Sequence, residues 1–244
     1  MHNLKTITIV SDSLGLPRTN EEGLSEISIY KTYHYLLQQK LFDRYYVNFR
    51  GDRGMTTRFL ANPAFLNDHV ILNNSPHVII QLGIVDCAPR IITLNQKRII
   101  RLLEKYNIKI INWLTRSYIQ FKSSHRKIFT HYFPKVYVEE NKFKKNLTSG
   151  TKRLLESGVK KIIFINIADT CEENKKRSFG FQRNISNYNK ILGSIVKRYD
   201  KNATLINLFE LTSKDNSLML RDGIHLSQKG NKIIADLLEK EILL

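Results

Sequence analysis

At 244 residues, with 42% hydrophobic and 10% aromatic content, the chain can bury a substantial core and has the composition of an ordinary globular protein. Its 39 Lys and Arg against 22 Asp and Glu give a net charge of +17, which suits an anionic partner such as a glycan or a membrane surface. The bases are scattered rather than interleaved with aromatics in one segment, so no nucleic-acid partner is expected.

Eleven glycines and five prolines leave no long flexible linker. Cys87 and Cys171 lack metal-type spacing, and two cysteines at this length do not make a disulfide scaffold. No run approaches the roughly 20 apolar residues that cross a bilayer. The N-terminal MHNLKTITIV reads as a strand rather than a leader. These features give the expectation of a cytoplasmic protein with reduced thiols.

In chain order, 6–10 (TITIV) reads as the first strand. Residues 26–41 follow as a helix with Ile29, Tyr33, Leu36 and Leu37 on one face. Strands at 45–49 (YYVNF) and 77–82 (HVIIQL) come next, then a helix over 94–105. A helix over 140–157, stopped by Gly158, leads to a strand at 161–167 (KIIFINI). A helix over 184–199, a strand at 203–208 (ATLINL) and a helix over 228–243 complete the chain. The strands are continuously apolar rather than alternating, as strands covered on both faces are. Strand–helix alternation therefore predicts one α/β unit over 1–244: a three-layer α/β/α sandwich around a mostly parallel five-stranded sheet.

Residues 106–139 break the alternation and read as an insertion. Within it, 107–112 (NIKIIN) has strand character. Trp113, Tyr118, Phe121, Phe129 and Phe133 read mainly as packing residues, with one or two available to a substrate. Arg116, Arg126 and Lys127 could meet anions there.

In a parallel sheet the ligand site lies beyond the carboxyl ends of the strands. Four distinctive segments fall there: SDSLG after the first strand, RGDRGMTT after the second, GIVDCAPR after the third, and DGIH after the fifth. Ser13 is the candidate nucleophile, inert until a base takes its proton. His225 is the candidate base, and Asp222, three residues earlier, would hold the imidazole in the right tautomer. Taken singly, Asp12-Ser13 could be a helix cap and His225 a packed histidine. Their joint position at strand ends favours serine-based acyl transfer.

The combination of SDSLG near one end and DGIH near the other resembles the SGNH (GDSL-like) hydrolase family. The resemblance implies that family's flavodoxin-like fold and ester hydrolysis without a metal or other cofactor. It also implies an oxyanion role for the backbone N–H of Gly54, in a block similar to the family's RGxxGxTT, with Gly51 as the fallback. The third block departs from the family. Where Gly-x-Asn-Asp is usual, this chain has Gly83-Ile84-Val85-Asp86. Valine cannot donate to an oxyanion, a loss that typically costs about 10²–10³ in turnover. Arg90 is the expected substitute, with Arg53 and Arg18 as other candidates. Asp86 matches the family's aspartate and suits a structural loop role.

The leading expectation is an esterase or deacetylase acting on an O-acylated carbohydrate or another ester, anionic in character, in the making of surface polysaccharide. A sugar O-acyltransferase using the same three residues is an alternative. A catalytically weak glycan-binding module is another, supported by Val85. Peripheral membrane contact is compatible with the charge, and the oligomeric state is not legible.

Overall fold

Isoleucine, valine and phenylalanine at consecutive positions can be buried only where both faces of a strand are covered, and that is how this sheet is built. The computed structural model describes residues 4–19, 25–106 and 108–244. Within them the elements run β1 (Lys5–Ser11), β2 (Arg18–Thr19), β3 (Ser25–Ile27), α1 (Tyr33–Lys40), β4 (Tyr45–Gly51), α2 (Pro63–His69), β5 (His77–Gln81) and α3 (Ile84–Cys87). Three helices follow without an intervening strand: α4 (Leu94–Lys105), α5 (Lys109–Ser124) and α6 (Arg126–Tyr132). The remainder is α7 (Glu140–Glu156), β6 (Lys161–Ile165), α8 (Glu172–Arg177), α9 (Phe181–Arg198), β7 (Ala203–Ile206), α10 (Leu208–Lys214) and α11 (Gln228–Leu243).

Five strands form one parallel sheet in the order β4-β1-β5-β6-β7. β2 and β3 form a separate antiparallel pair. Alternate residues of the large sheet serve two cores. On one face Val78, Ile80, Ile162 and Phe164 meet α2, α7 and α9 through Leu66, Phe143 and Ile185. On the other, Ile7, Ile9, Ile79 and Ile163 meet α1 and α11 through Leu37, Ile234 and Leu238. This is the expected three-layer sandwich. The strand order reverses between β1 and β5, so the crevice for a ligand opens where the chain leaves those two strands.

Four of the five long helices stand where the periodicity puts them, and two local readings need correction. The helix expected over 26–41 begins only at Tyr33, because 25–27 is a strand and 29–31 a 3₁₀ turn. Ile29 is consequently on the surface. The strand expected at 107–112 is the start of α5; Asn107 itself lies outside the described residues. Ile110, Trp113, Leu114, Tyr118 and Phe121 recur at helical spacing, and that longer pattern overrides a short β-branched run. Trp113, Tyr118, Phe121 and Phe133 are exposed, not packed, whereas Phe129 is half-buried.

Candidate active site

β1 ends at Ser11, fully buried, whose hydroxyl donates to Gln81 Oε1 at 3.0 Å. The chain then turns through a 3₁₀ turn over Ser13–Gly15, capped by Asp12, whose Oδ1 accepts from the Leu14 N–H at 2.9 Å. Asp12 is fully buried and its Oδ2 has no partner. Burial pushes its pKa up to about 7; the Leu14 N–H pulls the other way, and the charge of Asp86 adds to the rise. The cap turns Ser13 outward from the strand end.

Across the crevice, Leu220 N–H donates to His225 O at 2.7 Å and Gly223 N–H to Leu220 O at 2.8 Å, closing the loop that carries Asp222 and His225. Gly223 takes φ +63°, and a Cβ there would collide with the Cys171 side chain. Thr170 Oγ1 donates to Gly223 O at 2.9 Å and Asn174 Nδ2 to Asp222 O at 2.8 Å. The segment around the start of α8 thus buttresses the loop from behind.

The two loops bring three predicted residues into line. Ser13 Oγ lies 3.1 Å from His225 Nε2, and His225 Nδ1 lies 2.6 Å from Asp222 Oδ2. The other carboxylate oxygen of Asp222 accepts from the His225 and Ile224 backbone N–H groups, both at 2.9 Å. Burial would raise the Asp222 pKa, but the His225 ring and these two N–H groups outweigh it and hold the carboxylate at about 2. An ionised Asp222 accepts a hydrogen bond only from a protonated Nδ1, the tautomer in which Nε2 can accept from Ser13. Such a chain can deprotonate a serine and then return the proton to a leaving group. Among the described residues no three His, Cys, Asp or Glu side chains cluster as a metal site would need.

The remaining expected residues divide. Gly54 stands at the exposed tip of the turn after β4 with φ +83°, with open space where a side chain would be. Gly51 is the last residue of β4, paired with Ser11, and a Cβ there would strike the Phe49 ring. Asp86 is fully buried and binds Thr57 twice, by its N–H at 3.0 Å and its hydroxyl at 2.6 Å. Its carbonyl takes the N–H groups of Tyr137 and Val138 at 3.2 and 3.4 Å. These bonds tie the start of α3 to the segment after β4 and to the approach to α7. Burial raises its pKa to about 6, against the Thr57 hydrogen bonds.

Val85 is buried in α3, so no side-chain donor stands at that position. Arg90 does not replace it. Its Nη2 donates to Val85 O at 2.8 Å and its guanidinium lies 4.2 Å over the Tyr137 ring. Both interactions hold it in the wall behind α3, and none of its hydrogen bonds reaches Ser13. The expected oxyanion donor is instead a brace for the loop after β5. The arginine that does reach the site is Arg18, on β2, whose guanidinium lies against the His225 ring, with Nη2 2.6 Å from Nδ1 and in contact with Nε2. Burial disfavours the charge on Arg18, Asp222 favours it, and Arg53 beside it repels it. Arg53 is exposed, at the outer rim.

Sequence reasoning missed the buried state of Asp12 and the buttress formed by Thr170, Cys171 and Asn174. Asp12 had a signal, a carboxylate adjoining a buried strand end. The buttress had none, because it lies about 50 residues from the loop it supports.

Comparison with known proteins bears on the fold and the family. No curated protein matches the sequence. Solved structures that match include a lipase/acylhydrolase from Enterococcus faecalis (TM-score 0.64, 17% identity, 98% of this chain and 95% of that one). Another is a catalytic mutant of an acetylxylan esterase from Geobacillus stearothermophilus (TM-score 0.61, 16% identity, 98% and 94%). A third is an α/β hydrolase enzyme from the metagenome of Lake Arreo, Spain (TM-score 0.63, 16% identity, 98% and 96%). These likenesses establish the fold. Residues 77–238, two thirds of the sequence, match the model of GDSL-like lipases and acylhydrolases, and the chain accordingly belongs to the GDSL-like Lipase/Acylhydrolase family of ester hydrolases.

Proposed function

We propose that this protein is a serine esterase that removes acyl groups from an anionic O-acylated carbohydrate, a precursor of surface polysaccharide. The observation that carries the reading is the unbroken line Ser13 Oγ, His225 Nε2, His225 Nδ1, Asp222 Oδ2, with contacts of 3.1 and 2.6 Å. In the proposed reaction Ser13 Oγ attacks the ester carbonyl while His225 Nε2 takes its proton. The carbonyl π electrons move to oxygen, and the backbone N–H groups of Ser13 and Gly54 receive that oxyanion. The tetrahedral intermediate collapses with loss of the sugar alkoxide, which takes the proton from His225. Water, deprotonated by the same histidine, then attacks the acyl carbonyl, and collapse frees the acid as Ser13 Oγ leaves and takes the proton back from His225. Val85 supplies no side-chain donor, so the oxyanion rests on fewer contacts and turnover is modest for this chemistry.

The preference for an anionic substrate rests on Arg18, whose guanidinium stands at the His225 ring, with the exposed Arg53 as a second cation whose charge acts on it. A carboxylate or phosphate on the sugar would pair with them in bidentate fashion. The structural neighbour from Geobacillus stearothermophilus, an acetylxylan esterase, makes acetate the first acyl group to test.

The test is acetate release from O-acetylated acidic and neutral oligosaccharides, by wild type and Arg18→Gln. Wild type is expected to prefer the acidic substrate, and the variant to lose about tenfold in kcat/KM on it, chiefly through KM. Equal use of both substrates by wild type would dismiss the anionic preference. Acetyl transfer to a second sugar in place of acetate release would assign an acyltransferase.

A further inference from the structure

We propose that α4, α5 and α6 form a docking surface for an anionic phospholipid bilayer. An amphipathic helix normally turns its apolar stripe to the core. α5 does the reverse. Ile110, Trp113, Leu114, Tyr118 and Phe121 fall at i, i+3, i+4, i+8 and i+11, and are 43–65% exposed. The sole buried residue of the helix is Thr115. α4 adds Ile99 and Leu102, more than half exposed, and buries none of its residues. A contiguous apolar surface of this extent on a folded protein marks a binding face.

The charge on the same helices selects the occupant. Residues 94–135 hold ten lysines and arginines and a single acidic residue, Glu104. Beside the stripe, between α4 and α5, lies a cavity of about 350 Å³ whose wall includes Arg90, Lys97, Arg101 and Arg126 together with Glu104, four cations to one carboxylate. A second copy of the chain would bring like charge against like charge on this face. A bilayer offers hydrocarbon to the stripe and anionic headgroups to the bases at once, and tryptophan and tyrosine favour that boundary. Among the described residues no helix is long and apolar enough to cross a membrane, so the surface would lie on the bilayer.

The attachment of these helices suits such a role. The segment leaves and returns at one point: Arg90 N–H donates to Lys135 O at 2.8 Å, and Tyr137 and Val138 N–H both donate to Asp86 O. That point follows β5, at the sheet edge where Ser13 stands. α6 is tied down separately by Arg126 Nε to Ser178 Oγ at 2.7 Å and Phe179 N–H to Thr130 Oγ1 at 2.9 Å. A docked α5 would thus hold the catalytic edge near lipid-linked substrate. Binding itself does not depend on the esterase reading.

Trp113 is the only tryptophan of the chain, so its emission reports directly on this face. The full-length protein is mixed with vesicles of phosphatidylcholine alone or phosphatidylcholine with phosphatidylglycerol. The expected result is co-sedimentation and a blue shift of Trp113 emission with the anionic vesicles, weakened by salt and absent with neutral ones. Leu114→Ser/Phe121→Ser and Lys109→Glu/Arg116→Glu should each lower binding at least tenfold. Their melting curves and p-nitrophenyl acetate hydrolysis should match wild type, which separates docking from folding and catalysis. No co-sedimentation, equal binding to neutral vesicles, undiminished binding by both variants, or a lipid-independent dimer that shields Trp113 would each overturn the proposal.

Discussion

Asp12 is a buried carboxyl that adjoins Ser13, the proposed nucleophile. The carboxyl is fully enclosed, one oxygen caps the turn that presents Ser13, and the other has no partner. Its folded-state pKa of about 7 lies above its ordinary 3.8. Between those values the folded protein holds a proton that the unfolded chain has released, so stability falls as pH rises through that window. Asp86, raised to about 6, contributes in the same direction. Asp222, depressed to about 2, acts oppositely: its stabilisation is present above pH 4 and is lost as pH falls towards 2. Asp12→Asn keeps an oxygen for the Leu14 N–H and removes the ionisation. Denaturant unfolding at pH 5 and pH 8 should show wild type losing about 2–4 kcal/mol more than the variant across that interval. Equal pH dependence in the two proteins would contradict the assignment. Ser13, Asp222 and His225 were legible because serine chemistry needs those residue types and the topology collects strand ends. Arg90 was misread because spacing along a strand says nothing about which way a long side chain turns, and here the Val85 carbonyl and Tyr137 ring hold it in the wall.

The loop bearing Asp222 and His225 is held as much by its neighbours as by its own turn. Gly223 sits at φ +63° with Cys171 against it, so any larger residue meets both backbone strain and a collision. Gly223→Ala should cost about 1–3 kcal/mol in stability. It should reduce kcat by at least about a hundredfold, since a shift near 1 Å in the histidine spoils the proton transfer. Gly223→Ala/Cys171→Gly should recover part of the activity by removing the side-chain collision, leaving the strain and the close approach to the Cys171 backbone nitrogen. Activity within twofold of wild type in the single variant, measured on a small ester, would show the loop to be indifferent to this contact. The DGIH motif disclosed the glycine but not its partner, because packing between segments so far apart leaves no local pattern. The same reason explains α5: its helical period was present at 110, 113, 114, 118 and 121, yet a period tells which residues share a face and not whether that face meets the core or the surroundings.

At the scale of the molecule, the sheet order β4-β1-β5-β6-β7 explains how a serine at residue 13 meets a histidine at residue 225. β1 lies in the interior of the sheet, and the last helix, α11, packs against α1 on the same face, returning the C-terminal loop to the first strand's carboxyl end. The continuously apolar strands made this architecture readable, because only a doubly covered sheet can hide them. What lay outside the repeating pattern was read less well: α4 stands where the periodicity put it, whereas 107–112, read as a strand, opens α5. The apolar stripe of α5 is exposed rather than turned to the core, so the core-facing pattern gave no guide to it. The central claim is that Ser13 is the nucleophile of an acyl-enzyme. The most direct measurement is the intact mass, followed by peptide mapping, of the protein treated with a fluorophosphonate. One adduct located on Ser13 in wild type, absent from His225→Ala and Ser13→Ala, with esterase activity lost in step with labelling, is the predicted result. An adduct on another residue, or ester hydrolysis that persists after Ser13 is fully labelled, would contradict it.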